Sequence, residues 1–301
     1  MGNVCLECTS GLSDQKVQYE LNQDAPSHSA SGHSTQHTQS AVPVHEDLRL
    51  PPFDYSPEEV PGVEWRPMTC IEGGVQYSGE WSIVKCVKEG KGVAVWQSGA
   101  RYEGYWNDDV PSGRGRLMHA CGDIYEGAWS NGQCEGQGVY LHVDGAKYSG
   151  EWKADLQHGQ GREEWPDGSS YEGQYVNGKK TGQGSFHWAD GSEYSGQLLE
   201  NRIEGRGEYR WKNGSCYVGD WVANCMDGQG TFRWADGRVY VGGYLRDKKH
   251  GEGELVLPDQ TRVKGTWHHG RLQGTVLETQ PDGQVVKATW QDGQKLEAST
   301  H

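Results

Sequence analysis

The chain is short of the side chains from which ordinary cores are built. Only 34% of its 301 residues are hydrophobic and only 3 are phenylalanine. A chain this poor in aliphatic residues cannot pack a large conventional core. No apolar run reaches the roughly 18 residues that a membrane-spanning helix needs. No signal-peptide core is visible either, so the 8 cysteines are expected in a reducing compartment. Positive charge is scarce as well. With 28 basic and 42 acidic residues the net charge is −14, which excludes nucleic-acid binding driven by charge alone. The deficit is uneven, because residues 1–72 hold 3 basic and 11 acidic side chains.

What is abundant is glycine, at 45 residues, with 15 tyrosines and 13 tryptophans. They are periodic. Tyr102, Tyr125, Tyr148, Tyr171, Tyr194, Tyr217 and Tyr240 each begin a Tyr-x-Gly stretch at a step of 23 residues, and Tyr77 begins one 25 residues before Tyr102. Val263 and Val286 continue the phase in weaker copies, giving ten repeats from about residue 72 to about residue 293. A Gly-x-Gly pair recurs at Gly90/Gly92, Gly113/Gly115, Gly136/Gly138, Gly159/Gly161, Gly182/Gly184, Gly205/Gly207, Gly228/Gly230 and Gly251/Gly253. The ninth copy has Gly274 followed by Val276, and the tenth lacks the pair. A fixed period of this size predicts a solenoid or array.

The fifth repeat shows the local logic. Alternation puts Tyr171, Gly173 and Tyr175 on one face of a first strand, and Gly182, Gly184, Phe186 and Trp188 on one face of a second. Asn177-Gly178 and Asp190-Gly191 are turn signals. Each repeat therefore reads as a β-hairpin in which large rings lie over glycine, and glycine's weakness in a strand is offset by the ring above it. The predicted fold is all-β: an elongated single antiparallel sheet of about ten hairpins, to which each repeat adds one.

Tyr-x-Gly-x-Trp, Gly-x-Gly and Asp-Gly at a 23-residue step resemble the MORN repeat (membrane occupation and recognition nexus). The resemblance implies scaffolding at membranes and at membrane-associated cytoskeleton, direct phospholipid contact in some members, and self-association through C-terminal repeats, here a homodimer. Some members append a lipid kinase or methyltransferase. The 71 mostly polar residues ahead of the repeats are too few for such a domain, so no enzyme activity and no cofactor are expected.

The predicted organisation is a disordered acidic and polar segment over residues 1–62, a rod over 63–293 made of a half-repeat cap and ten repeats, and a tail over 294–301. Residues 23–42 form a Ser/His/Gln/Thr tract, and Pro43, Pro51, Pro52, Pro57 and Pro61 suit an extended linker. Met1-Gly2-Asn3-Val4-Cys5 resembles the start of an acylated protein, with Gly2 myristoylated and Cys5 and Cys8 palmitoylated. One myristoyl chain holds a membrane only marginally, and a second makes the anchor stable. Leu6 departs from the Ser or Thr preferred there, so an ordinary disordered start is the competing reading.

Two sets of side chains stand out in the rod. Tyr171, Trp188, Tyr194 and Trp211 form a central aromatic set that either docks a protein partner or packs repeat against repeat. The position eight residues after the repeat's tyrosine holds Lys85, Lys179, Arg202, Lys248 and Arg271. In one phase these make a basic edge that either contacts anionic phospholipid or guards the sheet against aggregation. Cys86, Cys134 and Cys225 fall in the hairpin turn, eight or nine residues after the repeat's tyrosine, and read as small residues tolerated in an exposed turn. His119 and His142 replace tryptophans of other copies and read as packing substitutions. Cys5-x-x-Cys8 has no second pair nearby, so no metal site is expected. Gly178-Lys179-Lys180-Thr181 lacks the spacing of a phosphate loop.

The combined expectation is a non-catalytic scaffold on the cytoplasmic face of a membrane or on membrane-associated cytoskeleton. The alternatives are a soluble cytoskeletal or axonemal assembly protein and a direct phosphoinositide-binding module.

Overall fold

The computed structural model describes residues 51–55 and 59–296. Gly2, Cys5 and Cys8 lie outside the described residues. The chain divides between Gln157 and His158 into two compact bodies. The first holds β1 (Val63–Cys70), β2 (Gln76–Ser82), β3 (Lys88–Val95), β4 (Arg101–Asn107), β5 (Val110–Met118), β6 (Ile124–Ser130), β7 (Gln133–Leu141) and β8 (Lys147–Lys153), each antiparallel to the next. The second takes in most of β9 (Leu156–Glu164). It continues through β10 (Ser170–Val176), β11 (Lys179–His187), β12 (Glu193–Leu199), β13 (Arg202–Arg210), β14 (Cys216–Val222) and β15 (Cys225–Arg233). It ends with β16 (Val239–Leu245), β17 (Lys248–Val256), β18 (Arg262–His268), β19 (Arg271–Thr279), β20 (Val285–Gln291) and β21 (Gln294–Lys295). From β9 onward each strand again runs antiparallel to its successor. This is the all-β architecture of antiparallel hairpin repeats that the period predicts.

The hairpins close by two-residue turns with positive φ at both positions, as at Asn177 (49°) and Gly178 (77°), and at Glu200 (49°) and Asn201 (67°). That is the primed turn whose twist matches the strands it joins. Turns of successive repeats are tied together: Lys180 N donates to Asn201 Oδ1 at 2.8 Å, and Asn201 N donates to the Lys180 carbonyl at 2.9 Å.

The two glycines of Gly-x-Gly do different work. In the fifth repeat β10 and β11 slip register between Gly173 and Tyr175, and the bulge sits at Gly182, with φ of +92°. The Gln174 side chain fills the bend by accepting from Gln183 N at 2.9 Å. Gly184 lies under the Tyr171 ring, where an added Cβ would stand 2.5 Å from the phenol oxygen. The phenol reaches over Gly184 and its cross-strand partner Gly173 to donate to the Gln174 carbonyl at 3.2 Å.

The repeat tyrosines are the core. Those from Tyr77 to Tyr240 are fully buried. In the first body edge-to-face contacts run from a ladder tyrosine to the aromatic four residues on and to that of the next repeat, as in Tyr102 with Trp106 (5.0 Å, 81°) and Trp129 (5.3 Å, 89°). In the sixth repeat Leu198, also buried, takes the place of that second ring. In the second body Tyr217 repeats this with Trp221 (5.2 Å) and Tyr244 (5.2 Å). The departures in the ninth repeat are explained by packing. Val263 supplies no ring, and Val276, 0% exposed, fills the vacated space over Gly265.

Candidate functional site

Each hairpin presents a ring face and an opposite face, and the second body carries a second line of rings on the first of these. Phe186 stacks on Trp188 (5.3 Å, 14°), Trp188 meets Tyr209 (5.1 Å), Tyr209 meets Trp211 (4.6 Å), Trp211 meets Phe232 (5.0 Å) and Phe232 meets Trp234 (4.5 Å). Five of these six rings are half-buried, and only Tyr209 is buried. The corresponding stretch of the first body is more polar. There His119, Tyr140 and His142 approach at 6.0 and 4.7 Å, and His142 Nδ1 lies 3.5 Å from Asp123.

The structure separates the four aromatic residues singled out from sequence. Tyr171 and Tyr194 are fully buried in the tyrosine ladder, so packing is their role in the described residues. Trp188 and Trp211 are half-buried members of the outer stair. Sequence reasoning put Phe186 on one face with Trp188 but did not place Tyr209, Phe232 and Trp234 with them. The signal was present in the aromatic pair that closes the second strand of these repeats.

The basic positions lie at the hairpin turns, where Lys179, Arg202, Lys248 and Arg271 are exposed and each opens a strand. Carboxylates stand among them: Lys179 pairs with Glu200 at 3.3 Å and Lys85 with Asp108 at 2.6 Å. The next residue along is buried more deeply, and here lysines enter aromatic cups. Lys180 Nζ lies over Tyr171 (5.1 Å), Trp165 (5.3 Å) and Tyr175 (5.4 Å) and meets Glu163. Lys249 Nζ lies over Trp234 (4.7 Å), Trp267 (4.9 Å) and Tyr240 (5.4 Å). Cys134 occupies this same position. It is buried and not in an exposed turn, and burial first, then Asp155, pushes its thiol pKa up. Among the described residues no group of three or more His, Cys, Asp or Glu side chains could hold a metal ion.

One feature of the first body falls where the sequence places a linker. Residues 51–55 (Pro-Pro-Phe-Asp-Tyr) pack on the face opposite the tyrosine ladder. Phe53 is 7% exposed, beneath the guanidinium groups of Arg114 (5.5 Å) and Arg116 (5.7 Å). Arg116 Nη1 donates to the Pro51 carbonyl at 2.9 Å. Tyr55 meets Phe53 (4.9 Å, 80°) and Tyr105 (5.7 Å, 71°), and its hydroxyl donates to the Gly92 carbonyl at 3.3 Å. Burial, then Glu103, pushes the Tyr55 pKa up to about 12.

The family model of the MORN repeat matches residues 87–101, 102–120, 125–147, 148–170, 171–193, 194–216, 217–237 and 240–262, more than half of the chain. No curated protein is similar enough to count as a match. Among solved structures, the TCP10 domain of Danio rerio CPAP in complex with a STIL peptide is 10% identical, with 78% of this chain and 99% of that chain covered and a TM-score of 0.38. The SAS-4 TCP domain of Drosophila melanogaster in complex with a proline-rich motif of Ana2 is 17% identical, with 72% and 99% covered and a TM-score of 0.26. A virginiamycin B lyase from Staphylococcus aureus is 10% identical, with 76% and 71% covered and a TM-score of 0.14. These scores are too low to carry an argument about this chain. The eight repeat matches, which cover more than half of the chain, establish that the chain belongs to the MORN-repeat family.

Proposed function

We propose that this protein is a non-catalytic scaffold that holds a protein partner on the aromatic stair of its second body. The observation that carries the reading is the contrast between two lines of rings. The ladder tyrosines are fully buried and account for packing, whereas Phe186, Trp188, Trp211, Phe232 and Trp234 keep exposed area beyond what packing requires. Large, rigid, partly exposed aromatics are the side chains that dominate binding energy at interfaces. The matching partner presents apolar side chains along an extended or helical segment.

In this reading the N-terminal segment tethers the scaffold to the cytoplasmic face of a membrane through myristoyl on Gly2 and palmitoyl on Cys5 and Cys8. Its support is the sequence Met1-Gly2-Asn3-Val4-Cys5 alone. The carboxylates paired with Lys179 and Lys85 weigh against a primary role for these two turn cations at anionic phospholipid.

The test measures intact mass and membrane-fraction share of the full chain from a eukaryotic host, beside Gly2→Ala and Trp188→Ala/Trp211→Ala. An acyl mass on Gly2 lost together with membrane share in Gly2→Ala supports the tether. A partner recovered with the wild type and with Gly2→Ala, but lost with the tryptophan variant, supports the stair. An unmodified Gly2 removes the tether, and recovery indifferent to both tryptophans removes the stair.

A further inference from the structure

The face that residues 51–55 cover departs from the repeat at the positions they touch. Tyr105 stands three residues after its repeat tyrosine, where the fifth and sixth repeats hold Gln174 and Gln197 and use the amide to bridge the bulge. Arg114 and Arg116 stand where the fifth repeat holds Gln183 and Ser185. The hairpin is therefore made elsewhere in this chain without an aromatic ring or an arginine pair at these places. What the three side chains share is the strap: a ring for Tyr55, and two guanidinium groups over Phe53.

Arg116 is prepared for this contact. It is 6% exposed, its Nε donates to Glu126 Oε2 at 2.8 Å, and Glu103 lies 3.8 Å from its Nη1. Arg114 meets the other Glu126 oxygen at 3.0 Å. The carboxylates aim both guanidinium groups and leave one N–H for a peptide carbonyl. The strap itself adds no strand to the sheet. Pro51 and Pro52 have no N–H to give, and both prolines and Asp54 remain exposed. Its hold consists of two rings, one carbonyl and one phenol, all separable from the sheet's own hydrogen bonds.

We propose that Tyr105, Arg114 and Arg116 form a recognition site for an extended segment with two aromatic residues separated by one residue and a free peptide carbonyl two residues ahead of the first. Pro51–Tyr55 occupies the site in cis, and a partner segment of the same chemistry binds by displacing it. A covalently tethered occupant acts at an effective concentration on the order of millimolar, so the site is closed to weak competitors and opens when the strap is weakened.

The test uses the full chain and a fluorescein-labelled peptide of residues 50–56, followed by anisotropy. Phe53→Ala/Tyr55→Ala, which disables the strap, is expected to bind the peptide about tenfold or more tighter than the wild type. Adding Tyr105→Gln, Arg114→Gln and Arg116→Ser, the residues that the fifth repeat itself carries, is expected to abolish that binding. Equal binding by the wild type and the strap variant overturns the proposal, and so does binding that survives the three changes. An independent readout is chymotryptic cleavage after Phe53 and Tyr55. Tyr105→Gln alone should accelerate it several-fold with the sheet's circular dichroism intact, and an unchanged rate overturns the exchangeable strap.

Discussion

The second glycine of each Gly-x-Gly is where a single side chain decides whether a repeat closes. An added Cβ at Gly184 would lie 2.5 Å from the Tyr171 hydroxyl oxygen and 2.6 Å from its ring, and the ring has no other place within the ladder. Gly184→Val should therefore cost about 3 kcal/mol, from overpacking and a displaced aromatic ring, read as a fall in thermal midpoint. Gly191→Ala, in an open turn with nothing near its Cβ but at φ of +87°, costs backbone strain alone, and a fall at Gly184→Val no greater than that would show that the ring does not hold the site. The ninth repeat offers the reverse experiment. There Val276 occupies the place of that glycine, and Val263 the place of the tyrosine. Val263→Tyr alone should clash with Val276, and Val276→Gly alone should leave a cavity. Together they should rebuild the ladder, with a favourable coupling of about 1–3 kcal/mol in a double-mutant cycle. Strict additivity would mean that the two departures are unrelated.

At the scale of the hairpin, the turn is as specific as the strands. Asn201 sits at φ of 67° and accepts from Lys180 N at 2.8 Å, which binds one repeat's turn to the next. Asn201→Gly keeps the backbone conformation and loses the bond, whereas Asn201→Ala loses both. Chemical denaturation should rank the costs at about 1 and about 2 kcal/mol respectively. An Asn201→Gly variant as stable as the wild type would show that the side-chain bond is irrelevant, and an alanine variant no worse than the glycine one would show that the left-handed backbone is. The hairpins were legible in the sequence because each of their requirements leaves a periodic residue: a ring, a glycine beneath it, a turn pair. The exposure of individual rings was not legible. Tyr171 and Trp188 are both large aromatics in the same repeat, and what buries the first is the glycine pair under it, while the second lies beyond the strand end. The cup that takes Lys180 or Cys134 was equally hidden, because it is lined by rings from successive repeats. The strap at Pro51–Tyr55 was invisible for a stronger reason. Its partners Gly92, Tyr105, Arg114 and Arg116 are 37 to 65 residues away in sequence, and no period connects them to it.

For the whole molecule, replacing an aliphatic core by buried phenols makes stability depend on alkaline pH. Burial is the first cause of the raised pKa at Tyr77, Tyr102, Tyr125, Tyr194, Tyr217 and Tyr240, all pushed well above the ordinary value of 10.0. Tyr55 and Tyr209 are pushed up to about 12, again mainly by burial. A raised phenol pKa means that the folded chain keeps protons the unfolded chain has released. The stabilisation is complete below pH 10 and is lost as pH rises through 12 and beyond. The losses are not simultaneous. Tyr55 belongs to a strap outside the sheet's hydrogen bonds, so its ionisation can release residues 51–55 without opening a hairpin, whereas a ladder tyrosine ionises only when its ring leaves the glycines. Spectrophotometric titration should therefore show a small early rise in tyrosinate absorbance that is reduced in Tyr55→Phe. A steep rise should follow, coincident with the loss of sheet circular dichroism. Tyrosines that ionised together near pH 10 with the sheet intact would sink this account, because rings so easily reached by hydroxide could not be the core.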